Sequence, residues 1–193
     1  MLVNSQNPIR CEWLSEDPIY IEYHDKEWGK PEFDSIKLFE MLCLEGQQAG
    51  LSWITILKKR ENYRKLFKGF NPYIISKFTE KDVRRLLSDA SIVRHKGKIE
   101  AIINNSRCFI KMETQNECFS DFIWGFVNHK PIVNNIYNSK DVKTETTSSI
   151  ALSKALKMKG FKFVGSTICY AFMQACGLID DHINNCICKS KLT

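Results

Sequence analysis

The 193-residue sequence predicts a mainly α protein built as a single unit. Three observations carry that expectation. Apolar residues recur at helical spacing in one segment after another, runs alternating with period two are nearly absent, and no repeat, low-complexity tract or Gly/Ser-rich linker divides the chain.

In chain order, Asp34 or Ser35 can cap a helix in which Leu38, Phe39 and Leu42 share a face, with Gly46 marking its expected end. Residues 50–57 present a second apolar face that continues into the basic stretch 58–68. Helices are expected at 80–89 and 98–112, the latter because Ile99, Ile102, Ile103, Phe109 and Ile110 recur at helical spacing. A short helix is expected at 120–126, and 131–147, rich in Asn, Ser and Thr, reads as a long loop. Two late helices, 149–158 and about 166–176, complete the pattern, the second stopped by Gly177.

Composition narrows the functional classes. A net charge of +6 suits an acidic partner without the cation density of a purely electrostatic nucleic-acid coat. No apolar run is long enough to span a membrane, and the first residues lack the basic and apolar regions of a signal peptide, so no membrane is expected and the expected compartment is the cytosol. Eight cysteines in that compartment call for metal ligation or core packing rather than disulfides. Cys43, Cys108, Cys169 and Cys176 lie in apolar or helix-like sequence and read as core, whereas Cys11, Cys186 and Cys188 lie in polar sequence near the termini.

Cys11 and His24 are separated by twelve residues, and His182 and Cys186 by three. A Cys2His2 set closes a tetrahedral zinc site with no open position, and one pair near each terminus would fasten the two ends of the chain together. Coincidence of two separated pairs is the other reading. His95 and His129 have no partnering ligand pattern.

Between 157 and 167, two glycines and two aromatics form a turn that opens a helix, with Lys157, Lys159 and Lys162 beside it. Free amides at a helix start form an anion seat, so a nucleic-acid backbone read without base specificity is one partner and an ordinary αα-hairpin with solvated lysines is the alternative. A second basic run, Arg94-His95-Lys96-Gly97-Lys98, could join the cations of 58–68 in a charged face or simply meet water.

Glu45 is the one charge between Met41 and Leu57. An anion in such surroundings is costly without a donor or cation, and functional sites place carboxylates this way. Trp13, Tyr23, Trp28 and Trp53 lie near loops, and aromatic faces beside a carboxylate suit a planar cation. The alternatives are a helix-end glutamate that reaches solvent and tryptophans that only fill the core.

Long blocks of the sequence carry a resemblance: Tyr23-His24-Asp25-Lys26-Glu27-Trp28-Gly29, the run from Leu38 through Glu45-Gly46-Gln47-Gln48-Ala49-Gly50-Leu51-Ser52 to Trp53, Arg94 to Ile99, and Gly160-Phe161-Lys162-Phe163-Val164-Gly165-Ser166-Thr167. The chain resembles the bacterial DNA-3-methyladenine glycosylase I family of the helix–hairpin–helix superfamily, over all but its first residues and the loop around 134–147. The resemblance implies a helix–hairpin–helix DNA glycosylase fold with a zinc-stapled lobe joining the termini. Its expected parts are a helical body at about 34–177, the helix–hairpin–helix at about 149–177, and zinc-binding segments 1–30 and 178–193.

By the same resemblance Cys11, His24, His182 and Cys186 match structural zinc ligands, and Glu45 matches the catalytic pocket carboxylate. Tyr23 and Trp53 match the walls around a flipped base, with Trp28 a further pocket aromatic. The hairpin at Lys162, Gly165 and Ser166 matches the DNA anchor, although its Gly-x4-Gly spacing departs from the superfamily's Gly-x-Gly. Leu51, beside the pocket block, is the candidate wedge into the DNA stack, with a place in the core as the alternative. The implied activity is flipping and hydrolytic release of N3-methyladenine from alkylated double-stranded DNA by a monomer, without strand cleavage. No lysine stands where bifunctional relatives form a Schiff base, and Asp180 and Asp181 are not assigned the superfamily's catalytic carboxylate role.

Overall fold

The computed structural model describes residues 8–190, so the outer ends of the two expected zinc-binding segments lie outside the described residues. Nine α-helices are described: α1 Pro18–Lys26, α2 Ser35–Gln48, α3 Trp53–Leu66, α4 Pro72–Ile75, α5 Glu80–Ser88, α6 Lys96–Thr114, α7 Phe119–Gly125, α8 Thr147–Met158 and α9 Ser166–Ala175. Two short strands, β1 Ile132–Val133 and β2 Ile179–Asp180, pair in parallel. Among the described residues no helix is long and apolar enough to cross a membrane.

Local signals set most boundaries. Asp34 caps α2 by accepting from the amides of Ile36 and Lys37, each at 2.9 Å. Thr79 with Asp82 and Thr146 with Ser149 form capping boxes at the starts of α5 and α8. Asp17 caps α1 and Pro18 occupies its first turn, where the missing N–H costs nothing.

The core is built around α2, which meets α3, α6, α7 and α9. Leu38, Phe39 and Leu42 are buried as the periodicity predicts, and from Leu42 to Gln47 every side of the helix is covered. A helix enclosed all round carries whatever polar group it bears into the interior. That is why Glu45 is buried.

The structure departs from the sequence reading at four places. First, α2 does not end near Gly46 but runs on to Gln48, and the chain turns at Gly50 with φ +76. Gly46 is needed for closeness rather than for a stop: a Cβ there would lie 3.2 Å from the Cβ and carbonyl oxygen of Phe163 in the α8–α9 turn. Second, α1 and α4 form where no helix is expected. Third, the loop 131–147 contains β1 and a 3-10 turn, Ser139–Asp141. Fourth, the basic stretch of α3 is largely paired within the fold. Arg60 forks onto Glu27, Arg64 meets Glu40 and Glu61, Lys58 meets Asp17, and Lys59 donates to the carbonyls of Ala90 and Ser91.

Candidate active site and metal centre

Four helices and the loops between them line a cavity of about 190 Å³. Helix α1 contributes Tyr20 and Tyr23, α2 contributes Glu45 and Gln48, and α9 contributes Ala171 and Gln174. Trp53 opens α3 and Trp28 follows α1, while Trp13, Val142 and Asp181 come from loops. The aromatic walls are set by mutual packing, with the Tyr23 and Trp53 rings 5.5 Å apart and tilted, and Trp13 edge-on to Trp28 at 5.0 Å.

Glu45 is 4 % exposed and, among the described residues, receives no hydrogen bond. Burial pushes its carboxyl up to about 8, because desolvation penalises the charged form and no donor among the described residues compensates it. At neutral pH the free pocket therefore holds a largely protonated acid, ready to become a carboxylate when a cation arrives. The Nε1 of Trp53 is also buried without a partner among these residues. Asp181 differs from Glu45, since Asn134 and Gln174 each donate to it at 2.7 Å and the Tyr170 hydroxyl also donates.

A second cleft adjoins the cavity through Glu45, Gln48 and Ala171 and leads along Ala49, Gly50 and Leu51 to Thr167 and Ile168 at the start of α9. Leu51 is 40 % exposed on this turn, so it belongs to the surface rather than the core. The α8–α9 turn is clamped from behind by α6. Asn105 bonds both the amide and the carbonyl of Lys162, at 2.8 and 3.0 Å, and Asn104 donates to the Gly160 carbonyl at 2.8 Å.

Phe163 in that turn has φ +55, so a phenylalanine holds the left-handed conformation that glycine adopts freely, two residues before Gly165. With the turn's carbonyls held inward, the first amides of α9 at Ser166 and Thr167 are those a helix leaves unpaired, and the Ser166 hydroxyl donates to Glu145. Lys162 is exposed beside them.

The expected zinc ligands converge from both ends of the chain. His24, His182, Cys186 and Cys188 offer ligand atoms all within 4.8 Å of one another, a group that could hold a metal ion. Cys188 stands there in the place that the sequence gives to Cys11. Cys11 is nonetheless buried beside the group: its thiol hydrogen bonds with Cys186, and its amide lies 3.5 Å from Nε2 of His24.

The two histidines show which side faces an ion. Nδ1 of His24 bonds Asp25 at 2.8 Å, and Nδ1 of His182 bonds Asp180 at 2.8 Å. Both Nε2 atoms are thereby left to point inward, as metal-bound imidazoles held by carboxylates do. Nε2 of His182 is buried with no partner among the described residues, and Nε2 of His24 lies 3.5 Å from Sγ of Cys186. The Cys186 thiol is held below the ordinary thiol range chiefly by its hydrogen bond with Cys11. Cys188 lies on the other side of His24, 3.9 Å from Nδ1 and in contact with Asp25. The donor set of soft sulfur and imidazole nitrogen fits a zinc-type ion.

The metal group and the cavity share a wall. Trp28 lies edge-on to His182 at 4.5 Å and stacks with His24 at 6.1 Å, so the histidines back one of the aromatics that line the pocket. Sequence reasoning missed Tyr20, Gln48, Val142, Ala171, Gln174 and Asp181 as pocket residues. Gln174 and Ala171 lie three apart on α9 and so share a face, but nothing in the sequence indicates which face meets the pocket.

A mainly helical body, an aromatic pocket with a buried carboxylate, and a cleft running from that pocket to a helix start make the architecture of a helical DNA glycosylase. Residues 13–189 match the methyladenine glycosylase family, and the chain belongs to it. It is 61 % identical to the DNA-3-methyladenine glycosylase 1 of Escherichia coli strain K12, over 93 % of this chain and 96 % of that one. A crystal structure of a 3-methyladenine DNA glycosylase I superposes with a TM-score of 0.93 at 58 % identity, covering 94 % of this chain and all of the other. A variant of such an enzyme in complex with 3-methyladenine gives 0.90 at 41 % identity, over 93 % and 96 % of the two chains.

Proposed function

We propose that the chain repairs alkylated double-stranded DNA by flipping out N3-methyladenine and hydrolysing its N-glycosidic bond, as a monofunctional enzyme that leaves the abasic strand intact. Glycosylase action on 3-methyladenine follows from family membership at about 60 % identity over most of the chain. The observation that carries the site-level reading is Glu45, a buried carboxyl without a donor among the described residues, lining the same cavity as Tyr23 and Trp53.

The substrate explains this arrangement. N3-methylation leaves the base positively charged, so Tyr23, Trp28 and Trp53 offer it electron-rich faces while Glu45 accepts from its donor edge and balances its charge. When the bond from the base nitrogen to C1′ of the sugar breaks, its electron pair cancels the positive charge and the base leaves neutral. Water adds to C1′ and gives up a proton. Much of the acceleration then comes from holding a labile nucleotide in place rather than from protonating a leaving group. Unmethylated adenine brings no charge to offset the desolvation of Glu45, which disfavours it in the same pocket.

The turn between α8 and α9 acts as the helix–hairpin–helix anchor, with Lys162, Gly165 and the Ser166 amide meeting backbone phosphate. From there the cleft past Leu51 leads to the pocket, and Leu51 fills the gap that the flipped nucleotide leaves. Cys11, His24, His182 and Cys186 hold one structural zinc. Such an ion supplies a closed crosslink between the chain ends and no chemistry in base release. The protein acts as a monomer in the cytosol, where its thiols stay reduced.

Glu45→Gln tests this reading: base release falls at least a hundredfold while binding to undamaged duplex is unchanged. Unchanged release by the variant would overturn it. Borohydride added during turnover traps no protein on DNA; a covalent adduct would show strand-cleaving chemistry instead.

A further inference from the structure

Lys98 belongs to the basic run that the sequence offers to DNA, yet it is turned inward and only 5 % exposed. Its ammonium donates to the carbonyls of Gln47 at 2.7 Å and Ala49 at 2.6 Å, at the end of α2 where carbonyls lack helical partners. Gln47 answers by donating to the Lys98 carbonyl at 3.0 Å, and its side-chain oxygen accepts from the Tyr63 hydroxyl at 3.1 Å. That hydroxyl in turn accepts from the Val93 amide at 3.1 Å.

No carboxylate pairs with Lys98 among the described residues, and burial lowers its pKa. A buried cation held only by carbonyls is costly, and a methionine would fill the same space without the charge while leaving the two carbonyls without this donor. The charge needs a reason beyond packing. What it holds is the turn 48–52, which joins Glu45, one helical turn upstream, to Leu51 at the cleft, through Gly50 at φ +76.

We propose that Lys98 is a positioning residue, fixing the end of α2 so that Leu51 enters the DNA stack at a set height above the pocket. The proposal rests on the wedge reading of Leu51. It assigns Lys98 no contact with substrate. A cationic strap on two carbonyls holds the turn against the push of stacked bases, and its location at the negative end of the α2 dipole adds to that hold.

The test uses the full chain and compares Lys98→Met, Leu51→Ala and the double variant. Binding of free 3-methyladenine, followed by tryptophan fluorescence, stays within twofold of wild type in all three. Single-turnover release from methylated duplex falls at least tenfold in Lys98→Met, and release from methylated single strand, which has no stack to open, falls less than threefold. In the Leu51→Ala background Lys98→Met costs less than a further twofold, because both changes remove one function. Wild-type duplex release by Leu51→Ala would remove the wedge reading. An impaired Leu51→Ala beside an unimpaired Lys98→Met, or multiplying losses in the double variant, or equal loss of free-base binding, would overturn the role given to Lys98. If Lys98→Met does not fold, Lys98→Gln, which keeps an N–H donor without the charge, is put through the same comparison, with at least a threefold duplex loss and the same coupling expected.

Discussion

Replacing Glu45 with glutamine should make the free protein more stable as it disables the enzyme. The unpaired carboxyl titrates near 8 in the fold against 4.5 in an open chain. An acid raised in this way costs the fold nothing below pH 4.5, where both states are protonated. As pH rises towards 8 the unfolded chain ionises and the folded one does not, so stability falls across that window and levels off above it. Each tenfold in that equilibrium is worth about 1.4 kcal/mol, which puts the cost at about 3 kcal/mol at pH 7. Glutamine has no such cost, although its own buried amide needs partners and takes back part of the gain. The expected net gain at pH 7 is about 1–3 kcal/mol. Urea unfolding of both proteins at pH 4.5, 6, 7 and 8.5 measures it. The gap should be near zero at the lowest pH, widen with pH and flatten above 8. A gap independent of pH, or a less stable Glu45→Gln protein throughout, would show that Glu45 is already ionised and partnered, refuting the desolvation argument.

Three further outcomes follow from the same geometry. A cationic N-methylated purine should bind about tenfold more tightly per pH unit between 6 and 8 and no more tightly above, with about one proton released in calorimetry at pH 7, because the cation favours the Glu45 carboxylate. Cys11→Ser and Cys186→Ser should each lose the stoichiometric zinc found by elemental analysis, whereas Cys188→Ser, on the Asp25 side of His24, should keep it. Gly29→Ala sets a Cβ 2.5 Å from Cε1 of His182 at a backbone φ of +76, so it should lower stability by about 2–4 kcal/mol in denaturant unfolding and weaken zinc retention.

Much of the site could be read before the structure, because its signals are local. Glu45 stands out as a lone charge in an apolar run, Asp34 announces α2, and the Cys/His pairs carry ligand spacing. The rest depends on partners far along the chain. Gly46 reads as a helix end because glycine usually is one, while its role is to admit Phe163 from more than a hundred residues away. Lys98 reads as a surface cation because the carbonyls it meets, at Gln47 and Ala49, leave no mark in the sequence. Helix α1 has a start signal in Asp17 and Pro18 but no apolar stripe, since Tyr23 and His24 are buried against the pocket and metal group instead of a common core face. Strand β1 is two residues long and too short to show a period. Gln174 and Asp181 enter the pocket only once α9 and the chain after it are folded against α2.

The most direct test of the account is chromatography of the bases released when the purified protein meets duplex DNA treated with a methylating agent. Selective release of 3-methyladenine, with N7-methylguanine left in the strand, is the predicted result. No released base from folded, zinc-loaded protein would contradict it, and would make the pocket around Glu45 a binding site for damage rather than a site of its removal.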